Sequence, residues 1–209
     1  MPWFDAFYYS KKRKREDSKE FEEWKKIVTE MGLEESKKRD TYGNINPQIT
    51  GDYRNHHLRI DEYEMGGEYS SSLTHYNVEF ENPQTILMSI GKRSIFFPIL
   101  TYPPYLWKGK NIRMNDSEFD DKFFVRGNKE SEVRAILDSS IRSKIRNIRD
   151  FNIIIELHKI KNFNKLINLA QHVDFHSLSK TKQGAERFKE IIDTVIDIVE
   201  KIEAYTPSS

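Results

Sequence analysis

The spacing of hydrophobic positions changes several times along the chain, and each change marks an element. Between Phe119 and Leu157 the pattern runs from alternation, through a turn, to three- and four-residue steps and then a β-branched run. Phe119, Phe123 and Val125 share one parity, which predicts a strand with one buried face, closed by Gly127-Asn128. Val133, Ile136, Leu137, Ile141, Ile145 and Ile148 then line one stripe of a helix. Asn128 is the expected N-cap. Glu130 and Glu132 suit the positive helix end, and Arg142, Lys144, Arg146 and Arg149 suit the negative one. Burying the six apolar side chains is worth about 10 kcal/mol gross, an upper bound because an unfolded chain already hides part of its surface. Ile153, Ile154, Ile155 and Leu157 predict a central strand.

The rest of the chain divides by the same test. Phe21, Trp24, Ile27, Val28 and Met31 follow helical steps, with Asp17 and Glu20 at capping-box spacing before them and Gly32 to close the end. Residues 34–47 are charged, small or turn-forming and read as a loop or an exposed extension. Leu58 and Ile60 alternate, Met65-Gly66-Gly67-Glu68 offers a hairpin turn, and Thr74, Tyr76, Val78 and Phe80 give the best period-two run, ended by Pro83. Ile86, Met88 and Ile90 supply a further strand, and Gly91-Lys92-Arg93 a turn into Ser94–Leu100. Thr101–Asp116, with Pro103-Pro104 among aromatics, reads as a long loop. In Phe163–Phe175 the residues Leu166, Ile167, Leu169, Ala170 and Val173 fit a short helix or a strand and turn. Ser179 and Thr181 compete to cap a last helix lined by Phe188, Ile191, Ile192, Val195, Val199 and Ile202 and widened by Ile196 and Ile198. So wide an apolar arc needs cover on both sides.

The motif F-D-x-x-F-x-V, here Phe119, Asp120, Phe123 and Val125 before a Glu-rich helix start, resembles an uncharacterised prokaryotic domain family over Phe119 to Leu157. The resemblance implies an α+β domain without an assigned activity, often found near membranes. It brings no catalytic residue.

Composition narrows the choice of function. The chain has 209 residues, 37% hydrophobic and 32% charged, which suits one sizeable core and argues against general disorder. Lys plus Arg (34) and Asp plus Glu (33) nearly cancel, so the overall field gives no reason to expect nucleic acid as a partner. Without cysteine there is no disulfide or thiolate site, and a cytoplasmic location is expected. No apolar run reaches the roughly eighteen residues of a membrane span, and no signal peptide is legible.

One segment stands out. Trp3, Phe4, Phe7, Tyr8 and Tyr9 precede Lys11, Lys12, Arg13, Lys14 and Arg15, a combination that accompanies attachment to anionic membrane surfaces. The plainer reading makes the same aromatics cover for a hydrophobic patch of the domain and the cations a solvated linker. The metal-like spacing is His172-x-Asp174-x-His176, whose histidines share a face on a helix and on a strand alike. Ordinary surface histidines are the plainer reading. His56-His57 point to opposite faces of a strand and read as surface polarity, and Asp116, Asp120 and Asp121 as solvation of a turn. Arg134, Arg142, Lys144, Arg146 and Arg149 make a basic face that Glu132 and Asp138 interrupt. Neither a phosphate-binding loop, nor G-x-G-x-x-G, nor G-x-S-x-G occurs.

The expectation is an α+β fold over residues 17–205, a mostly antiparallel sheet of residues 48–100, 119–126 and 151–158 with helices packed on it, the first helix at one end, and a disordered tail at 206–209. For function the expectation is a non-enzymatic binding or scaffolding domain, partnered by a protein or an anionic membrane surface at the inner face of the membrane, without a cofactor. The alternative is a metal-assisted hydrolase using His172, Asp174 and His176. A homodimer through the last helix is compatible with either. Ile141→Asp places a charge in the predicted helix stripe and is expected to unfold the protein, with loss of the cooperative transition in circular dichroism.

Overall fold

A computed structural model of the chain describes residues 19–39, 45–65, 71–82, 84–93, 109–148, 152–160, 163–171 and 182–206. In chain order these form α1 (Lys19–Glu30), β1 (Leu33–Arg39), β2 (Ile45–Tyr53), β3 (His56–Met65), β4 (Ser71–Phe80), β5 (Met88–Lys92) and β6 (Lys110–Ile112). They continue with α2 (Ser117–Lys122), β7 (Phe123–Gly127), α3 (Glu130–Ile136), α4 (Ser139–Asn147), β8 (Asn152–Ile160), β9 (Phe163–Gln171) and α5 (Lys182–Ala204). The fold is α+β, as its periodicities imply.

The strands form one nine-stranded sheet in the order β1-β2-β3-β4-β9-β8-β5-β7-β6, and each neighbouring pair is antiparallel. Two adjacent transverse rows show how period two shapes it. Glu35, Ile49, Ile60, Tyr76, Asn168, Ile155, Ile90, Val125 and Ile112 are successive register partners across all nine strands. Ile49, Ile60, Tyr76, Ile90, Val125 and Ile112 are buried. One residue over, the partners are Glu34, Thr50, Arg59, Asn77, Ile167, Glu156, Ser89, Arg126 and Asn111, polar in all but Ile167. A one-residue slip in any strand would exchange the rows, so the pattern itself holds the register.

The apolar row meets the helices. α5 packs on α1, α3, α4, β4 and β9, and α1 packs on β1 as well. Trp24 of α1 meets Phe188 of α5 edge-on, with ring centroids 4.6 Å apart, and Phe188 lies 6.2 Å from Tyr76 of β4. The Trp24 indole N–H donates to Glu35 at 3.2 Å, which gives the polar corner of the ring a partner. Phe188, Ile191, Ile192, Val195, Ile196, Ile198, Val199 and Ile202 are all buried, so the wide arc of α5 is covered from within the chain. The arc that suggested a second copy is thus accounted for by the chain's own elements.

Several sequence expectations change. Residues 34–39 and 45–47 are strand, not loop: they belong to β1 and β2, where buried Leu33 and Ile49 anchor the pair while charges occupy an edge that needs no second apolar row, and residues 40–44 lie outside the described residues. Phe119 lies in α2, not in a strand. Its spacing to Phe123 is also one helical step, and Asp116 caps that helix through Phe119 N at 3.1 Å. The two rings stack at 4.8 Å.

The predicted helix from Asn128 is two helices. Lys129 is the first N-cap, without a side-chain bond, and Asp138 caps the second through Ile141 N at 3.0 Å. Leu137, at φ −85° and ψ 55°, makes the break, yet Val133, Ile136, Leu137, Ile141 and Ile145 stay buried on one side. Asn128 is used elsewhere: its amide accepts from Leu87 N at 2.8 Å and donates to Thr85 O at 2.9 Å. β5 continues through Gly91 and Lys92 instead of turning there, and Lys110–Ile112 is an edge strand inside the expected loop. Phe163–Gln171 is a strand, which settles the helix-or-strand choice, and β8 is interior to the sheet as its β-branched run implied. Asp17, Gly66-Gly67, Pro83, Ser94–Leu100, Pro103-Pro104, Val173, Ser179, Thr181 and 207–209 lie outside the described residues.

The edge strands are also held by a close backbone contact. Gly32, at φ +71°, ends α1 and turns the chain into β1, where Leu33 pairs with Gly51. A Cβ on Gly51 would lie 2.3 Å from the Gly32 carbonyl oxygen and 3.0 Å from the Leu33 Cα, both backbone atoms that cannot swing aside. Gly51→Ala is therefore expected to cost about 1–3 kcal/mol, read as a lower urea midpoint.

Candidate functional site

The residues proposed from sequence for membrane contact, Trp3, Phe4, Phe7, Tyr8, Lys11, Lys12, Arg13, Lys14 and Arg15, lie outside the described residues, as do His172, Asp174 and His176. Among the described residues no group of three or more His, Asp or Glu side chains is arranged to hold a metal ion. What the fold does bring together is a charged seam along one flank of α5.

That seam starts from a tight turn. Arg54 and Asn55 connect β2 to β3 with φ of 50° and 65°, the doubly left-handed geometry of a two-residue hairpin. Asp193, Asp197 and Glu200 recur on α5 at four- and three-residue steps and so present one face. The Arg54 guanidinium spans two of them, donating from Nη1 to Asp197 Oδ1 at 2.8 Å and from Nε to Glu200 Oε1 at 3.0 Å, with Nη2 on the other Glu200 oxygen. Lys144 of α4 reaches the second Asp197 oxygen. One turn earlier, the Tyr53 hydroxyl donates to Asp193 Oδ1 at 2.7 Å, and Lys189 bonds Asp193 Oδ2 at 2.7 Å. Burial, and then the bond to Asp193, push the Tyr53 hydroxyl above the ordinary tyrosine pKa. The Asp193 carboxylate raises that of Lys189. One turn later, His56 bonds Glu203 at 2.9 Å, and Glu203 also accepts the Glu81 N–H at 3.1 Å.

His56 and His57 do point to opposite faces. His56 is buried against α5, contrary to the surface reading of the pair, because its face is the one the helix covers. His57 is exposed and lies 2.9 Å from Asp52.

A second network lies on the other face of the sheet. Buried Asp61 accepts from Arg59 Nε at 2.8 Å and from Asn77 Nδ2 at 3.4 Å, and Gln48 donates to its other oxygen. Three donors from three strands are thereby satisfied around one carboxylate.

A third cluster joins α2 to α4. Arg142 Nε donates to Asp116 Oδ2 at 2.9 Å while its Nη1 donates to Leu137 O at 2.7 Å, and Arg146 pairs with Glu118 at 2.8 Å. The bond from Arg142, then the Phe119 N–H, hold the Asp116 carboxyl below its usual pKa. Asp120 accepts the Met114 N–H at 2.9 Å. The acids near residue 116 therefore tie elements together instead of merely solvating a turn. On the basic face Arg134 bonds Glu130 within α3 at 2.8 Å, Arg142, Lys144 and Arg146 pair with acids of other elements, and Arg149 lies outside the described residues.

Sequence reasoning missed Tyr53, Arg54, Asp193, Asp197, Glu200 and Glu203. The regular spacing of the acids on the last helix was a legible signal that this flank is not simply solvated. Their target, a turn some 140 positions away, was not legible, since the Tyr53–Asp193 separation is 140 residues.

The fold thus defines an α+β protein in which several charged pairs tie one element to another. Compared with models of protein families, with curated proteins and with solved structures, the chain matches none. No described helix is long and apolar enough to cross a membrane.

Acid should loosen these ties. Burial opposes ionisation of Asp138, but the Lys201 ammonium and the N–H groups of Ile141 and Ser140 outweigh it and lower its pKa. A carboxyl lowered on folding stabilises above its unfolded pKa and loses that contribution as pH falls through its folded one. The urea midpoint is expected to fall as pH drops below about 4, the ordinary carboxyl range, and Asp138→Asn to flatten that slope.

Proposed function

We propose that the protein is a non-enzymatic binding or scaffolding domain at the cytoplasmic face of a membrane, attached through residues 1–15. The observation that carries this reading is the sequence of that segment, in which Trp3, Phe4, Phe7, Tyr8 and Tyr9 stand next to five consecutive cations, Lys11 to Arg15. Aromatic rings settle at the headgroup level, and each cation near an anionic surface adds about 1 kcal/mol, so neither group alone anchors a protein but both together do.

The non-enzymatic part has separate support. Asp193, Asp197, Glu200 and Glu203 are engaged by Tyr53, Lys189, Arg54, Lys144 and His56, groups drawn from other elements or from the next helical turn. Side chains committed in this way position a surface. They are not poised to exchange protons with a substrate.

Flotation with anionic liposomes tests the proposal. The full chain is expected to float at low salt, to bind less at high salt, and to lose binding when the chain starts at Glu16; each single Lys or Arg removed between 11 and 15 should weaken binding about fivefold. Flotation that is indifferent to salt, or unchanged in the shortened chain, refutes it.

A further inference from the structure

The two edges of the sheet differ. β6 presents only the three residues Lys110–Ile112, and an edge so short offers little to pair with. β1 presents seven residues, Leu33–Arg39, and bonds β2 on one side, while among the described residues no strand pairs with its other side. Backbone N–H and C=O groups that point outward there need water or another strand. Leu33 is buried, but Glu34 and Glu35 are exposed and Ser36 is half-buried, so the middle of the strand is reachable from outside.

The order of charges along this edge selects a partner. Ser36 divides the strand into Leu33-Glu34-Glu35 and Lys37-Lys38-Arg39. Directly opposed residues of an antiparallel ladder share one hydrogen-bonding direction, so a strand paired with its own copy matches residues of like parity, and the two-fold axis falls on a residue. An axis at Ser36 is the one that overlaps all seven residues. It sets Glu34 against Lys38, Glu35 against Lys37 and Leu33 against Arg39, each twice by symmetry. An axis at Glu35 or Lys37 shortens the overlap to five residues and sets Glu35 against Glu35 or Lys37 against Lys37. A parallel in-register approach opposes like charges at all five charged positions. Charge on an edge strand ordinarily discourages pairing, but a change of sign at mid-strand accepts the strand's own antiparallel copy while refusing strands of uniform charge.

We infer that β1 is a homodimerisation edge, joining the nine-stranded sheets of two copies of this chain into one antiparallel sheet with the two-fold axis at Ser36. The surface is separate from the apolar arc of α5, which the chain's own elements cover. The axis stands perpendicular to the sheet, so residues of the same face meet. Glu34 meets Lys38 on the polar face, and Glu35 meets Lys37 on the face that carries the helices. There the Trp24 indole N–H already bonds Glu35 at 3.2 Å and orients its carboxylate.

The test uses the full chain, which has no cysteine of its own. Ser36→Cys places two thiols across the axis, where directly paired Cα atoms are about 4.5–5.5 Å apart and within disulfide reach. Glu34→Cys is the control: its two copies would stand about four residues, or about 14 Å, apart along the strands. In oxidised glutathione, Ser36→Cys is expected to form a disulfide-linked dimer and Glu34→Cys to stay unlinked. Sedimentation of the unaltered chain from about 1 μM to about 1 mM should show a dimer. Its dissociation constant should rise at least about tenfold in Glu34→Lys and in Lys38→Glu, each of which creates like-charge pairs at both symmetric positions. An equimolar mixture of those two variants makes every pair opposite again and should restore the dimer. A monomer across the whole range overturns the inference. So does a dimer that ignores both reversals, a mixture that associates no better than either variant, or a Glu34→Cys chain that cross-links as readily as Ser36→Cys.

Discussion

The burial of α5 is the constraint on which the other elements depend. A 23-residue helix with apolar residues over so wide an arc is not stable alone in water, and it fixes where α1, α3, α4 and β4 must lie to cover it. Phe188 sits at the crossing point, between the indole of Trp24 and the ring of Tyr76. The sheet uses one face for this purpose, which is why one transverse row is mostly apolar and the next mostly polar. Polar contacts add direction to an attraction that has none: Arg54, His56 and Tyr53 set the rotation of α5 about its axis, which hydrophobic burial leaves loose.

Sheet order places a second demand on the chain. β4 and β5 follow each other in sequence yet are separated in the sheet by β9 and β8, which come from the C-terminal third. The link between them is pinned independently. Asn82 bonds Ile86 through both its amide atoms, at 2.7 and 2.9 Å, Asn128 holds Thr85 and Leu87, and Lys129 bonds Gln84 O at 2.7 Å. A meander β1–β4 and a unit β5–β7–β6 can each form from nearby chain, but one continuous sheet requires the β8–β9 hairpin to enter between them. Such non-local pairing makes folding slow relative to a helical protein of this size.

The chemistry follows from the architecture. Many charged side chains in the seam, around Asp61 and around Asp116 meet partners from other elements.

Much of the architecture is local and was legible. Helical steps of Trp24, Val28 and Met31, the period-two run Tyr76–Val78–Phe80, the β-branched run before Leu157 and the arc from Phe188 to Ile202 each depend on side chains a few residues apart, and all stand in the fold. Misread segments were those in which a neighbour decides. Leu33–Arg39 is a strand because Ile45–Tyr53 pairs with it, Phe119 is helical because Asp116 caps it, and the break at Leu137 follows from the cap at Asp138 and from α5 lying beside both halves. The charged seam was legible only by half. The spacing of Asp193, Asp197 and Glu200 is a property of one helix, whereas their pairing with a hairpin turn belongs to the tertiary structure, since no local rule connects residues so far apart in the chain. Sequence by itself determined the α+β class and the buried faces of its elements, because periodicity is a short-range property. Only the tertiary structure decided the strand order, the cover over α5 and the partners of the charges, because these depend on which surfaces meet.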